Sequence, residues 1–388
     1  MSIRQVYLDH NATTPLLPEV IEVILQYYRS DFGNASSVHR YGRQARVALD
    51  DARDCVAAVL GAPASSVYFS SGGTEANNTI LKGVAAALKE RGRHLVTSQI
   101  EHPAVLDTCA YLEQHGYTVT YVPVNTHGVI DPEAVRAALN DETILVSIMH
   151  ANNEIGTIQP IADIATVVHQ RGILMHTDAV QSFGKLPLDV DQLGVDFLSF
   201  SGHKLYAPKG IGGWYGRPRT PLHPLLHGGH QERGLRSGTE NVAGIAALGK
   251  ACEIAVRDMA HEWERQRHLQ QALEQGARER MSDVRIQGEH VARLANTTNL
   301  AIAGVEGETL MMSLDLQGVA ISTGSACSSG SLEPSHVLRA MQVPDAYVHG
   351  ALRFSLGRST SMADIAHVLD ILPGIVANAR AVSLIPMS

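Results

Sequence analysis

The chain has 388 residues, of which 45% are apolar, 18% charged and 5% aromatic, with 34 glycines and 16 prolines. That length predicts two domains, and the composition is that of a folded α/β enzyme, which excludes a disordered or fibrous chain. A formal charge of −8, with no Lys/Arg block and no basic stripe, excludes nucleic acid as a direct partner.

From Met1 to Asp9 there is no charged leader followed by an apolar stretch, and no later run reaches bilayer-spanning length. A cytoplasmic location away from any membrane is expected. Apolar runs of strand length follow at residues 67–70, 94–98, 118–122, 144–149, 173–177, 197–200 and 211–215. Helical periodicity separates them, as between Pro160 and Gly172, where Ile161, Ile164, Ala165 and Val168 recur at helical spacing. This βαβ rhythm predicts an α/β fold built on a mostly parallel seven-stranded sheet. A long helical stretch rich in Ala, Glu, Gln and Arg, residues 243–280, connects to a smaller unit. There, strands at 297–302, 319–322 and 351–355 alternate with helices at 308–316 and 362–377, which predicts a compact α+β domain. The boundary falls near residue 260, giving a large domain of 16–260 and a small one of 1–15 and 261–388.

Several groups along this frame carry chemistry. Ser70-Ser71-Gly72-Gly73-Thr74-Glu75 follows a strand and opens a helix, so backbone N–H groups and the helix dipole converge where a phosphate can sit; a plain N-cap is the alternative. His102 lies just past a strand end, where open α/β sheets bind ligands, and an imidazole there can stack on a flat ring. Asn153 follows another strand, and Gln181 stands three residues after Asp178, which closes an apolar strand. Lys204, in Ser201-Gly202-His203-Lys204, pairs with Asp178 to point to pyridoxal 5'-phosphate, the alternative for the pair alone being a surface Lys and a helix-capping Asp: a lysine forms the Schiff base with the cofactor aldehyde, and a carboxylate keeps the pyridine nitrogen protonated. Thr239, in Arg236-Ser237-Gly238-Thr239, is either a second phosphate donor or an N-cap. His223, His227 and His230 are spaced like metal ligands, but Pro224, Gly228 and Gly229 break any helix that would align them, so no metal site is expected.

The four cysteines, Cys55, Cys109, Cys252 and Cys327, include no Cys-x-x-Cys pair. The first three fall in helical patterns and read as core fillers. Cys327 sits in a run of Ser, Gly and Ala, residues 322–331, which cannot bury an apolar core and suits an accessible nucleophile.

Ordered blocks along nearly the whole chain now make a pattern: Tyr7-Leu8-Asp9-His10-Asn11-Ala12-Thr13-Thr14, Phe32-Gly33-Asn34, Gly72-Gly73-Thr74-Glu75, Glu101-His102, Asn152-Asn153-Glu154-Ile155-Gly156, Asp178-Ala179-Val180-Gln181, Ser201-Gly202-His203-Lys204, Arg236-Ser237-Gly238-Thr239, Gly324-Ser325-Ala326-Cys327 and Arg353-Phe354-Ser355. In these the chain resembles the cysteine desulfurases of the NifS/IscS type, in the class V aminotransferase branch of fold-type I pyridoxal phosphate enzymes. The resemblance implies Lys204 as Schiff-base lysine and proton-transfer base, His102 stacked on the ring, Asp178 on the pyridine nitrogen and Gln181 on the ring hydroxyl. It implies that Gly73, Thr74, Ser201 and His203 hold the phosphate, that Thr239 reaches it from the neighbouring subunit of a homodimer, and that Asn34, Asn153 and Arg353 bind the substrate. L-cysteine would then yield alanine and a persulfide on Cys327, whose sulfur passes to an acceptor or iron–sulfur scaffold protein. Ala35, His230 and His10 stand where relatives often have Pro, Gly and Asn. The long stretch after Cys327 and the early end at Ser388 favour a NifS-like member. A class V aminotransferase would have no work for Cys327, a silent scaffold would have no need of Lys204, His102 and Arg353, and selenocysteine lyase activity is a companion reading.

Overall fold

The computed structural model describes residues 4–323 and 334–383. A short strand β1 (Val6–Tyr7) pairs in parallel with β11 (Val319–Ala320). Seven strands, β2 (Val67–Ser70), β3 (His94–Ser98), β4 (Thr118–Val122), β5 (Thr143–Ser147), β6 (Leu174–Asp178), β7 (Phe197–Ser201) and β8 (Gly212–Gly216), form one sheet in the order β2-β8-β7-β6-β5-β3-β4. Only β8 runs against the others, so the sheet is mostly parallel, as expected. Crossover helices cover both faces, which is why β3, β5 and β7 are buried along their whole length. A second sheet, ordered β12-β10-β9, is antiparallel and built from β9 (Val284–Ile286), β10 (Thr297–Ile302) and β12 (Ala351–Ser355).

One helix, Val242–Arg280, spans 39 residues and serves two hydrophobic cores. Its Ile245, Leu248, Ala251, Cys252 and Ala255 pack in the core under the large sheet. Leu269, Leu273 and Ala277 pack in the core under the small one. Residue 260, the expected boundary, falls between these two sets.

The helix Met362–Val382 is long and apolar enough to cross a membrane by length and composition, contrary to the expectation that no stretch would be. Its apolar residues have another use here: Ile365, Val368, Leu369, Leu372 and Val376 are buried in the second core.

A buried ion pair fixes the loop between β8 and the long helix. Arg53 lies 2.7 Å from both carboxylate oxygens of Glu232, whose Oε2 also accepts from Phe69 N at 2.9 Å. Glu232 and Arg233 hold the left-handed φ values 45° and 57°, conformations that cost about 1–3 kcal/mol each and persist only where surroundings impose them. With both side chains under a tenth exposed (7% and 3%), removing one partner strands a buried charge. Glu232→Ala is therefore expected to lower the unfolding free energy by about 3–5 kcal/mol. Arg53→Met/Glu232→Leu, which strands no charge, should lose clearly less in the same urea titration.

Candidate active site

In a parallel sheet the carboxyl ends of the strands share one edge, and here β2, β6 and β7 end there on Ser70, Asp178 and Ser201. They border a cavity of about 270 Å3 lined by Gly73, Thr74, Asn77, His102, Asn153, Asp178, Gln181, Ser201, His203, Lys204 and Arg353, with Asn11, Ala12, Met149, Ala151 and Val180. A smaller cavity of about 50 Å3 lies beyond Lys204, beside His10, Lys185 and Trp263.

The helix Gly73–Leu88 points its N-terminus into the cavity, so its first N–H groups lack helical acceptors and favour an anion. Glycine is required at this bend. A Cβ on Gly73 would meet Val180 Cγ2 at 2.5 Å, and one on Gly212 would meet Gly72 Cα at 2.7 Å. Glu75 turns away from the cavity: its carboxylate accepts from Ser71 N at 3.0 Å and from Arg236 Nε at 2.8 Å. Burial alone would raise its pKa, but these bonds outweigh burial and hold it below the usual carboxylate range.

Asp178 accepts from Val180 N at 2.9 Å on Oδ1 and from Asn77 Nδ2 at 2.7 Å on Oδ2. Lys204 donates from Nζ to Asn11 O at 2.6 Å and Ala12 O at 2.7 Å. Gln181 donates to Asn11 O at 3.1 Å and accepts on Oε1 from Lys185 Nζ at 3.2 Å. Burial, then the charges of Lys204 and Arg353, push Lys185 down to about 7. His102 caps the helix Pro103–Glu113, its Nδ1 accepting from Ala104 N at 3.0 Å, which leaves the ring proton of the neutral form on Nε2. Burial holds its pKa below the ordinary value. Burial and the charge of Lys204 push His203 down to about 4.

Arg353 enters from β12, its side chain 4% exposed. Nη1 donates to Asn153 O at 3.1 Å and Nη2 to Asp9 Oδ1 at 2.8 Å, while Nε is buried with no partner among the described residues. Two carboxyls stand in the walls nearby. Burial pushes Glu101 up to about 8 and Glu154 up to about 7, against the hydrogen bonds they accept from Ser98 and from Ser335.

The cavity thus brings together Gly73, Thr74, His102, Asn153, Asp178, Gln181, Ser201, His203, Lys204 and Arg353 from the sequence reading. Asn34 and Thr239 are exposed and lie off its wall; Asn34 Oδ1 accepts from Ser36 N at 2.8 Å. Cys327 lies outside the described residues. Cys109 and Cys252 are buried and Cys55 half-buried, with burial raising all three thiol pKa values. His223, His227 and His230 are exposed. Asn11, Asn77 and Lys185 were not singled out from sequence; Asn77 stands one helical turn after Gly73, a spacing that puts it on the same face.

Residues 6–368 match the family described as Aminotransferase class-V, whose members depend on pyridoxal phosphate. The chain is 50% identical over 380 residues to a cysteine desulfurase IscS of Dictyoglomus turgidum, covering 98% of this chain and 96% of that protein. Among solved structures it superposes on a NifS-like protein with a TM-score of 0.91 at 39% identity, covering 97% of this chain and 100% of that one. It also superposes on SspA in complex with cysteine, with a TM-score of 0.80 at 37% identity over 91% and 99% of the two chains. The chain belongs to the class V aminotransferase family, among its IscS/NifS-like cysteine desulfurases.

The buried histidines set the response to acid. Burial holds His176 near 3 and His10 and His150 near 4, so the folded chain keeps these rings neutral. The unfolded chain protonates them below about pH 6.5, binds more protons there and is favoured as pH falls. Glu101 and Glu154 oppose this, because the folded state keeps carboxyl protons that the unfolded chain gives up above about pH 4.5. His203, held near 4, acts in the same direction, so four depressed imidazoles outweigh two raised carboxyls between about pH 6 and 5, and stability should fall by on the order of 2 kcal/mol per pH unit. Urea midpoints at pH 6 and pH 5 check the sign; a higher midpoint at pH 5 would refute it.

Proposed function

We propose that this chain binds pyridoxal phosphate in the 270 Å3 cavity, converts L-cysteine to L-alanine and transfers the sulfur to Cys327. The observation that carries the reading is one wall shared by an amine (Lys204), a carboxylate (Asp178), an imidazole (His102) and a buried guanidinium (Arg353), beside a helix N-terminus that glycine keeps open. These groups match the cofactor in kind: an anion cradle at Gly73, Thr74, Ser201 and His203 for its phosphate, Asp178 for its ring nitrogen, Gln181 for its ring hydroxyl and His102 for its flat face. When bound, pyridoxal phosphate supplies an aldehyde for the substrate amine and a ring that takes up the electron pair left at Cα.

Arg353 and Asn153 hold the substrate carboxylate, Arg353 through its planar fork, while Asn34, assigned there by the resemblance, lies off the cavity wall. Lys204 takes the Cα proton on Nζ, from the position it now shares with the carbonyls of Asn11 and Ala12. Neutral His102 carries its proton on Nε2, where it can serve the substrate sulfur. The Cys327 thiolate then attacks that sulfur: a new S–S bond forms as the Cβ–S bond breaks, and the pair left on Cβ takes a proton to become the methyl group of alanine. The product on the protein is a persulfide, and cysteine plus thiol balances alanine plus persulfide. That SspA was solved with cysteine supports the substrate.

A homodimer completes this reading, with Thr239 of the partner subunit reaching the phosphate. Support comes from the exposure of Thr239 and from the two ion pairs, Arg53–Glu232 and Arg236–Glu75, that hold its loop to the body. We further infer a cytoplasmic enzyme that hands its sulfur to an acceptor or iron–sulfur scaffold protein, with no direct role at a membrane or on nucleic acid.

Cys327→Ala should still bind cysteine and change cofactor absorbance, while sulfur transfer falls by at least about 100-fold. Mass spectrometry after brief exposure to cysteine should find the added sulfur on the wild-type peptide containing Cys327, and borohydride should fix the cofactor to Lys204. Near-normal alanine and sulfide from Cys327→Ala would restore the aminotransferase reading. For the dimer, sedimentation should give twice the chain mass, and Thr239→Ala should weaken cofactor affinity; a fully active monomer at assay concentration rules the shared site out.

A further inference from the structure

Behind the cavity a buried file of hydrogen bonds ends on Asp178. Asn77 Nδ2 is 2.7 Å from Asp178 Oδ2, Ser199 Oγ 2.5 Å from Asn77 Oδ1, His176 Nε2 3.3 Å from Ser199 Oγ, and Ser147 Oγ 2.8 Å from His176 Nδ1. All four side chains behind Asp178 are buried, none more than 1% exposed.

The carboxylate at one end decides every direction in the file. As a carboxylate it only accepts, so Asn77 must present its NH2; an amide oxygen at that distance would repel it. That orientation turns Asn77 Oδ1 toward Ser199, whose single hydroxyl hydrogen is used in donating to it. Ser199 Oγ must then accept from His176, which requires the ring hydrogen on Nε2. Burial depresses the imidazole to near 3, so the ring is neutral and Nδ1 has no hydrogen of its own. Nδ1 accepts from Ser147. Four donors in series therefore point at one oxygen of Asp178, while Val180 N occupies the other.

We infer that Asn77, Ser199, His176 and Ser147 are positioning residues that fix the plane of the Asp178 carboxylate and hold the proton it shares on the ring nitrogen of the cofactor. The inference rests on reading Asp178 as the partner of that nitrogen. Two donors on two oxygens prevent rotation about χ2. They also occupy a lone pair on each oxygen, which leaves the carboxylate placed to accept from the protonated ring nitrogen, where the proton is needed for the ring to accept electrons.

The test is the nitrogen-15 chemical shift of ring-labelled pyridoxal phosphate in the purified holoenzyme, with cofactor affinity measured beside it. The wild type should give the shift of a protonated pyridine. Ser199→Ala and Asn77→Ala should move it toward the unprotonated value and weaken cofactor affinity about tenfold. Asp178→Asn serves as the reference and should move it furthest. If Asp178→Asn moves the shift and neither Ser199→Ala nor Asn77→Ala does, the relay is wrong and the site reading stands. If Asp178→Asn leaves the shift unchanged, the site reading fails and takes the relay with it. Should both inner variants fail to fold, Ser147→Ala at the far end decides: a smaller move of the same sign supports the relay, and an unchanged shift overturns it.

Discussion

Asn11 is a buried amide whose polar groups are taken by six different residues. Its N–H donates to Ser355 Oγ at 2.9 Å, and its Nδ2 donates to Thr297 Oγ1 at 2.8 Å and Asn153 O at 3.1 Å. Its Oδ1 accepts from Asn296 at 2.9 Å, and its carbonyl accepts from Gln181 and Lys204. Ser355 and Thr297 belong to the small sheet, Gln181 and Lys204 to the carboxyl edge of the large one. A buried polar group left without a partner costs about 1–3 kcal/mol, so these bonds are satisfied together or not at all. Satisfying them brings Arg353 on β12 to the same cavity as Lys204 and Asp178. The site exists because one residue from the N-terminal segment ties both sheets at their shared edge.

Charge follows from that geometry. Lys185, Lys204 and Arg353 converge around His203, and each lowers the proton affinity of a neighbour: Lys204 and Lys185 depress His203, and Lys204 and Arg353 depress Lys185. The carboxyls behind the wall, Glu101 and Glu154, are pushed up to about 8 and 7 by burial, so near neutral pH Glu101 is mostly, and Glu154 about half, protonated. Negative charge is withdrawn from the walls while positive charge is gathered in the cavity. Such a cavity suits a ligand with two anionic ends, a phosphate and a carboxylate.

The strands were legible because each is a short apolar run bounded by a helical pattern; β10 and β12 fall where their runs do. β1 and β9, with two and three residues, are too short for any period to appear. The helix Met362–Val382 has the composition of a membrane span, and its burial in the second core, against the long helix Val242–Arg280 and the helix Gly307–Leu316, gives its apolar face another use. Site residues stood out where a strand end met a motif, as at Asp178 and Lys204. Asn77 and Lys185 did not: spacing from Gly73 puts Asn77 on the cavity face, but its bond to Asp178, like that of Lys185 to Gln181, is made only by the fold. Asn34 came from the resemblance alone and Thr239 from its loop-to-helix run, with only its partner-subunit role from the resemblance, and neither meets the cavity wall of a single chain.

The cavity is held in a state that the free chain does not favour. Arg353 Nε and, behind the wall, Glu101 Oε2 are buried without partners among the described residues, and two cations, Lys204 and Arg353, share one cavity. The rigid parts that impose this are remote: the satisfied bonds of Asn11, the Arg53–Glu232 pair and the two packed cores. An anionic ligand offsets those charges and can accept from Arg353 Nε, so binding and folding free energy are coupled through the same groups. The open donor on Arg353 and the charge of Lys204 beside it are therefore features that a phosphate or a carboxylate satisfies.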